Sequence, residues 1–160
     1  MANNVHIKID GIEGESADSK HSKTIDVLAW SWGMSQSGTF HTGSGGGQGK
    51  ASVQDLSFTK AVDSASTKLQ HACVVGDHID KAVLTVTKAG GKAPLDYFVI
   101  TLEQVLVSSV SIGGSGGEES FTENISLNFA KFKTEYFTQD AKGVGKAAGN
   151  VTFNIPANSA

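Results

Sequence analysis

The sequence predicts a mainly β fold, with antiparallel strands arranged as a barrel or sandwich and one covering helix. Three observations carry this. Apolar residues alternate at period two through most of the chain, the signature of half-buried strands. Only one stretch carries helical spacing. Nineteen Gly against two Pro cluster between the alternating runs, where turns are needed. With 160 residues, residues 1–160 suit a single domain, and no linker or internal repeat divides them.

The elements follow in order. Val5, Ile7 and Ile9 alternate with His6 and Lys8 as a short strand ending at the Asp10-Gly11 turn signal. Thr24 to Trp32 forms a second strand, and Ala51 to Phe58 a third, less regular one. Asp63 or Ser64 can cap a helix over about 64–75, in which Ala65, Leu69, Ala72 and Cys73 share one face. Cys73 is then a small buried hydrophobe, and Gly76 ends the helix in a left-handed conformation. Ile79 to Lys88 and Asp96 to Ile112 read as hairpin partners. The second is apolar at both parities, which predicts a central strand buried on both faces and bulged partway. Glu119 to Phe137 is the cleanest strand, with Phe121, Ile125, Leu127 and Phe129 on its apolar side. Val151, Phe153 and Ile155 close the sheet before Pro156.

Charge narrows the function classes. Sixteen Asp and Glu face thirteen basic residues, all of them Lys, for a net charge of −3. Arg is the preferred fork for phosphate and guanine edges, so its absence argues against a nucleic-acid partner. The acidic balance argues against an anionic membrane surface, and no apolar run is long enough for membrane insertion by a helix. The first residues lack the basic-then-apolar pattern of a signal peptide. Cys73 stands alone, so neither an intrachain disulfide nor a cysteine zinc site forms.

Several motifs resemble chemistry without its context. Ser44 to Ala51 matches a phosphate-binding loop at two positions only, and a β pattern follows where a helix is required. Gly113-Gly-Ser115-Gly-Gly117 fits the nucleophile-elbow pattern, yet all five His precede Ser115 and a strand follows it. His71 and Cys73 sit two apart on the helix and face different directions, so they make no metal site. Glu118 and Glu119 are adjacent, and adjacent strand residues point to opposite faces. No catalytic, cofactor or metal constellation is predicted. The informative feature is the face of Ser120, Thr122, Asn124, Ser126 and Asn128. It is small, polar and uncharged, whereas solvent-facing strands usually carry charge against edge pairing. Such a face suits the wall of a water-filled lumen, an oligomer interface or an ordinary exposed sheet.

Specific words then carry a resemblance. They are Gly11-Ile-Glu-Gly-Glu-Ser16, Trp30-Ser-Trp32-Gly33, Gln54-Asp-Leu-Ser-Phe58-Thr-Lys60, Ala82-Val-Leu-Thr-Val86, Val105-Leu-Val-Ser-Ser-Val-Ser111 and Glu123-Asn-Ile-Ser-Leu-Asn-Phe129-Ala-Lys131. In this order and spacing, from about residue 5 to 155, the chain is similar to the Hcp (haemolysin-coregulated protein) family. The resemblance implies a small β-barrel of antiparallel strands flanked by a helix, and a structural role without enzymatic activity. It implies homohexameric rings stacked into the hollow tube of the bacterial type VI secretion system, expelled by a sheath together with a spike and able to carry effector cargo. It further implies synthesis in the bacterial cytoplasm and secretion without a signal peptide. The loop Thr39, Phe40, His41, Thr42, Gly43, Ser44, Gly45, Gly46, Gly47, Gln48, Gly49 and Lys50 resembles the family's extended loop, which contacts neighbouring subunits and adjoining rings. The chain departs from many relatives in carrying Phe153 and Asn154 where they have Trp, and no fused toxin domain is expected. The alternative function is a β-barrel module for a small ligand or glycan, which calls for an apolar pocket with clustered Trp or Tyr.

Overall fold

The computed structural model describes residues 4–38, 50–88 and 93–160. Ten strands and one helix follow in the order β1 (Asn4–Ile9), β2 (Ile25–Val27), β3 (Ala29–Ser31), β4 (Met34–Gln36), β5 (Ala51–Val53), β6 (Leu56–Ala61), α1 (Ser66–Val75), β7 (Ile79–Lys88), β8 (Leu95–Gly113), β9 (Thr122–Gln139) and β10 (Gly145–Asn154). Among the described residues, the main sheet has the order β2-β1-β7-β8-β9-β6-β3, with β10 added to β9 and β4–β5 as a separate pair. Its pairings are antiparallel.

The sheet curls because of how the second predicted strand is used. Ile25 and Val27 bury their side chains and pair with β1, while Ala29 to Ser31 pair with β6. Between them the exposed Leu28 donates its N–H to Thr59 O at 2.8 Å. One continuous segment therefore touches both ends of the sheet and gives it a barrel-like form. The single predicted strand is two strands because its pairing partner changes at Leu28. The third predicted strand divides likewise into β5 and β6.

The central strand corrects the expectation of burial on both faces. Ile100 and Leu102 are core residues, and so are Val105 and Val107, yet all four belong to one core. Parity changes at Gln104, which has a φ of 55°. The same change occurs in β7 between Ile79 and Ala82, and in β9 between Phe129 and Phe132. Ile79, Val105 and Phe129 are cross-strand partners, as are Ala82, Leu102 and Phe132. All three strands thus shift phase at one level, a bend that keeps each apolar residue inward as the sheet turns. The predicted irregularity in β8 lies here and at the register shift between Val107 and Ser109.

Helix α1 buries Ser66, Leu69 and Ala72 and lies against β8. Cys73 is half-buried at the margin of that face. Ser64 does not cap the helix; its N–H donates instead to Glu15 Oε2 at 3.1 Å. Asp63 serves the start, with Oδ1 accepting the Ala65 N–H at 2.9 Å. Gly76 ends it at φ 69° and ψ 37°, the left-handed geometry for which glycine has no steric penalty. At the other end of the chain, β10 begins at Gly145 and not near Val151. Ala147, Ala148 and Gly149 give little β pattern, and pairing with β9 across a bulge makes them a strand. Phe121 lies outside β9 and is 49% exposed, because the strand begins one residue later.

Candidate functional site

The small polar residues of β9 lie beside others of their kind on the neighbouring strands. Asn124 faces Thr59 on one side and Ser111 on the other, and Thr59 faces Ala29. The next row is Ser31, Ser57, Ser126 and Ser109. Directly opposed residues share a sheet face, so two rows cross four strands without a charge. Thr59 Oγ1 donates to Asn124 Oδ1 at 2.6 Å, and the Ser57 and Ser126 hydroxyls lie 3.3 Å apart. At the margin Asp55 accepts from Ser108 Oγ at 2.7 Å and from Asn128 Nδ2 at 2.8 Å. Thr122 begins β9, and Ser120 precedes the strand as an exposed residue. Sequence reasoning found the β9 members and missed those from β3, β6 and β8, which only strand pairing brings alongside.

The other predicted surface falls largely outside the described residues. Thr39 to Gly49 lie there, and Lys50 is described and exposed. They connect β4 with β5, whose pairing runs from Met34↔Val53 to Gln36↔Ala51. All three residues of β4 are exposed.

A buried ionic cluster was not predicted. Lys60 and Glu123 are cross-strand partners, both 0% exposed. Lys60 Nζ donates to Glu123 Oε1, to Asp63 Oδ1 at 2.8 Å and to Ser66 Oγ at 3.1 Å. Ser66 Oγ in turn donates to Glu123 Oε1 at 2.7 Å. The cluster ties the start of α1 to β6 and β9. Glu123 Oε2 has no hydrogen-bond partner among the described residues. The period-two pattern held the signal, since Lys60 continues the face of Leu56 and Phe58, and Glu123 that of Ile125 and Leu127.

A second cluster holds the segment after β1. His6 and His21 stack with ring centroids 5.0 Å apart. His6 Nδ1 lies 3.2 Å from Asp26 Oδ1, and His21 Nε2 lies 2.9 Å from Asp96 Oδ1. Asp96 also accepts from Thr87 Oγ1 at 2.7 Å and pairs with Lys20 at 3.1 Å. Burial alone would raise the Asp96 carboxyl, but hydrogen bonds from Thr87, His21 and Lys20 outweigh it and hold it below the usual value. Asp18 is lowered by the backbone N–H groups of His21 and Lys20.

The remaining motifs stay apart. Ser115 sits in an exposed strand-to-strand connection, where its carbonyl accepts the Glu118 N–H at 3.3 Å. His71 lies 3.7 Å from Asp77, both well exposed. The Trp pair is committed to packing. Trp30 stacks on Phe98 at 6.1 Å, while Trp32 meets Phe132 edge-on at 4.8 Å and donates Nε1–H to Gln54 O at 2.9 Å.

Comparison with known proteins settles the family. The family described as "Type VI secretion system effector, Hcp" matches residues 6–136. The chain belongs to the Hcp family. A curated Hcp relative, Protein hcp1 of Pseudomonas aeruginosa, is 54% identical over 153 residues, covering 96% of this chain and 94% of the relative. The crystal structure of Hcp1 from Salmonella typhimurium is similar at 39% identity and a TM-score of 0.78, with 99% of each chain covered. A solved structure described as a type six secretion system protein reaches a TM-score of 0.88 at 32% identity, again over 99% of each chain. Hcp membership makes this a type VI secretion protein of a secreted, structural family. The ligand-binding alternative is not favoured, since both Trp side chains serve the core.

Proposed function

We propose that the chain is the repeating subunit of the type VI secretion tube, closing into homohexameric rings that stack into a hollow conduit. In this reading the sheath and spike act on the assembled tube, and effector cargo travels in its lumen. The observation that carries the reading is the four-strand polar face. A wall of hydroxyls and amides stays wetted and exchanges hydrogen bonds with water at little net cost. Its two central rows carry no fixed charge, and Asp55 at the margin is engaged by Ser108 and Asn128, so the wall neither grips a passenger tightly nor repels one by sign. We assign Ser57, Thr59, Asn124, Ser126 and Asn128 to this lining, with Thr122 at its rim and Ser120 beyond the strand end. The segment Thr39 to Lys50, which follows the exposed strand β4 and leads into β5, is assigned to contacts between copies. The subunit's role is structural, and any toxic chemistry belongs to its cargo.

The test is the mass and shape of the purified chain. Native mass measurement should give six times the 16.6 kDa chain, and electron microscopy should show rings with a central opening. A strict monomer at high concentration would overturn the proposal. So would rings whose central wall excludes the Asn124 face from solvent, as read by a cysteine placed at Asn124 that no thiol reagent reaches.

A further inference from the structure

The paired strands β8 and β9 end in two surfaces that this chain leaves uncovered and that cannot meet within one copy. At one end the connection 113–121 holds Glu118 and Glu119 and no lysine. Both acids are exposed, and beside them Ile112 and Phe121 remain half-exposed. At the other end lie Lys142 and Lys146, also exposed, with Val144 between them at 59% exposure. The one acid of that turn, Asp140, accepts the backbone N–H groups of Lys142 and Val144 at 2.8 Å each. It is thereby turned toward its own loop. The register fixes the two ends as opposite, since Gly113 faces Thr122 while Phe98 faces Tyr136. Along the ribbon they are on the order of 50 Å apart at about 3.3 Å per residue, far beyond the screening length of roughly 8–10 Å.

From this we infer that the two ends dock on each other between copies, head to tail, with Glu118 and Glu119 of one copy facing Lys142 and Lys146 of the next. The inference rests on the tube-subunit reading, which makes a second copy the natural occupant. Charge complementarity selects the same occupant independently, because the acidic and basic ends carry matched apolar rims of Phe121 and Val144. A contact joining two different patches of one chain is heterologous, and repeated it gives rings or open stacks instead of closed dimers. Its charges set register and association rate, and its apolar rims supply the burial that holds the joined copies.

The experiment is a charge swap on the full chain, read by sedimentation and electron microscopy. The double variant Glu118→Lys with Glu119→Lys places like charges at the joint, as does Lys142→Glu with Lys146→Glu. Each variant alone should associate at least tenfold more weakly than the wild type at low salt. An equimolar mixture of the two should restore association, because each reversed end then meets its complement. All four side chains are exposed, and recovery on mixing is open only to folded protein. Wild-type protein that assembles while both variants assemble equally well would overturn this inference and leave the tube reading standing. Loss of assembly without recovery on mixing would also overturn it. A wild-type chain that stays monomeric would overturn both readings.

Discussion

Replacing Lys60 by Met tests what the buried ionic cluster contributes. The Met chain keeps the apolar stem of Lys60 packed and removes its three contacts, to Glu123, Asp63 and Ser66. Asp63 is partly exposed and keeps its bond to the Ala65 N–H. Glu123 fares worse. Its side chain is fully buried, and among the described residues Oε2 already lacks a partner and only the Ser66 hydroxyl remains on Oε1. Stranding one member of a buried ion pair costs about 3–5 kcal/mol. That is a large share of the roughly 5–15 kcal/mol that holds a domain of this size. Removing both charges in Lys60→Met with Glu123→Leu should recover most of the loss, since matched apolar replacement of a buried pair is often near neutral. Urea unfolding followed by the fluorescence of Trp30 and Trp32, at one protein concentration for all variants, gives the three free energies. A loss below about 1 kcal/mol for Lys60→Met, or a double variant no more stable than Lys60→Met alone, would refute the reasoning.

Three further outcomes are expected. Asp18 and Asp96 are both held below their ordinary value of 3.8, so the unfolded chain binds protons that the folded one does not. Their stabilisation is therefore present above that value and lost as pH falls through the folded values; Asp96→Asn should flatten the acid limb of a melting-temperature profile, and an unchanged limb would contradict this. Gly14→Ala would put a Cβ 2.4 Å from Thr24 O and 2.8 Å from Ile25 Cα, a backbone clash that should lower stability by about 1–3 kcal/mol; wild-type stability in chemical denaturation would count against it. Deleting Gly45 to Gly47 should leave the circular dichroism spectrum and melting cooperativity of the domain intact while weakening ring closure or stacking, and an unfolded deletion variant would place the segment in the core.

Much of this fold is legible because its strands obey one local rule. In β6, and in β9 as far as Phe129, the buried residues alternate without interruption, and in β1 Ile7 and Ile9 keep the predicted inward face although His6 is buried as well. Gly76 marks the end of α1 because few other residues adopt its backbone conformation cheaply. What escapes local reading is set by pairing. The phase change at Gln104 makes sense only beside those in β7 and β9, and alternation within β8 alone looked like two buried faces. β10 owes its first half to β9, since Lys146 to Gly149 contain no apolar alternation. The polar face was visible along β9, yet its width depends on Ala29, Ser31, Ser57 and Thr59, which lie far away in sequence. Lys60 and Glu123 fit the pattern, but the expectation that charges point outward concealed them.

The claim that this Hcp chain builds a tube around its charge-free face is tested most directly by electron microscopy of the purified protein with a labelled cysteine at Asn124. The account predicts six-membered rings with the label on the wall of the central opening. Rings with the label on the outer rim, or particles of single-chain size at high concentration, would contradict it.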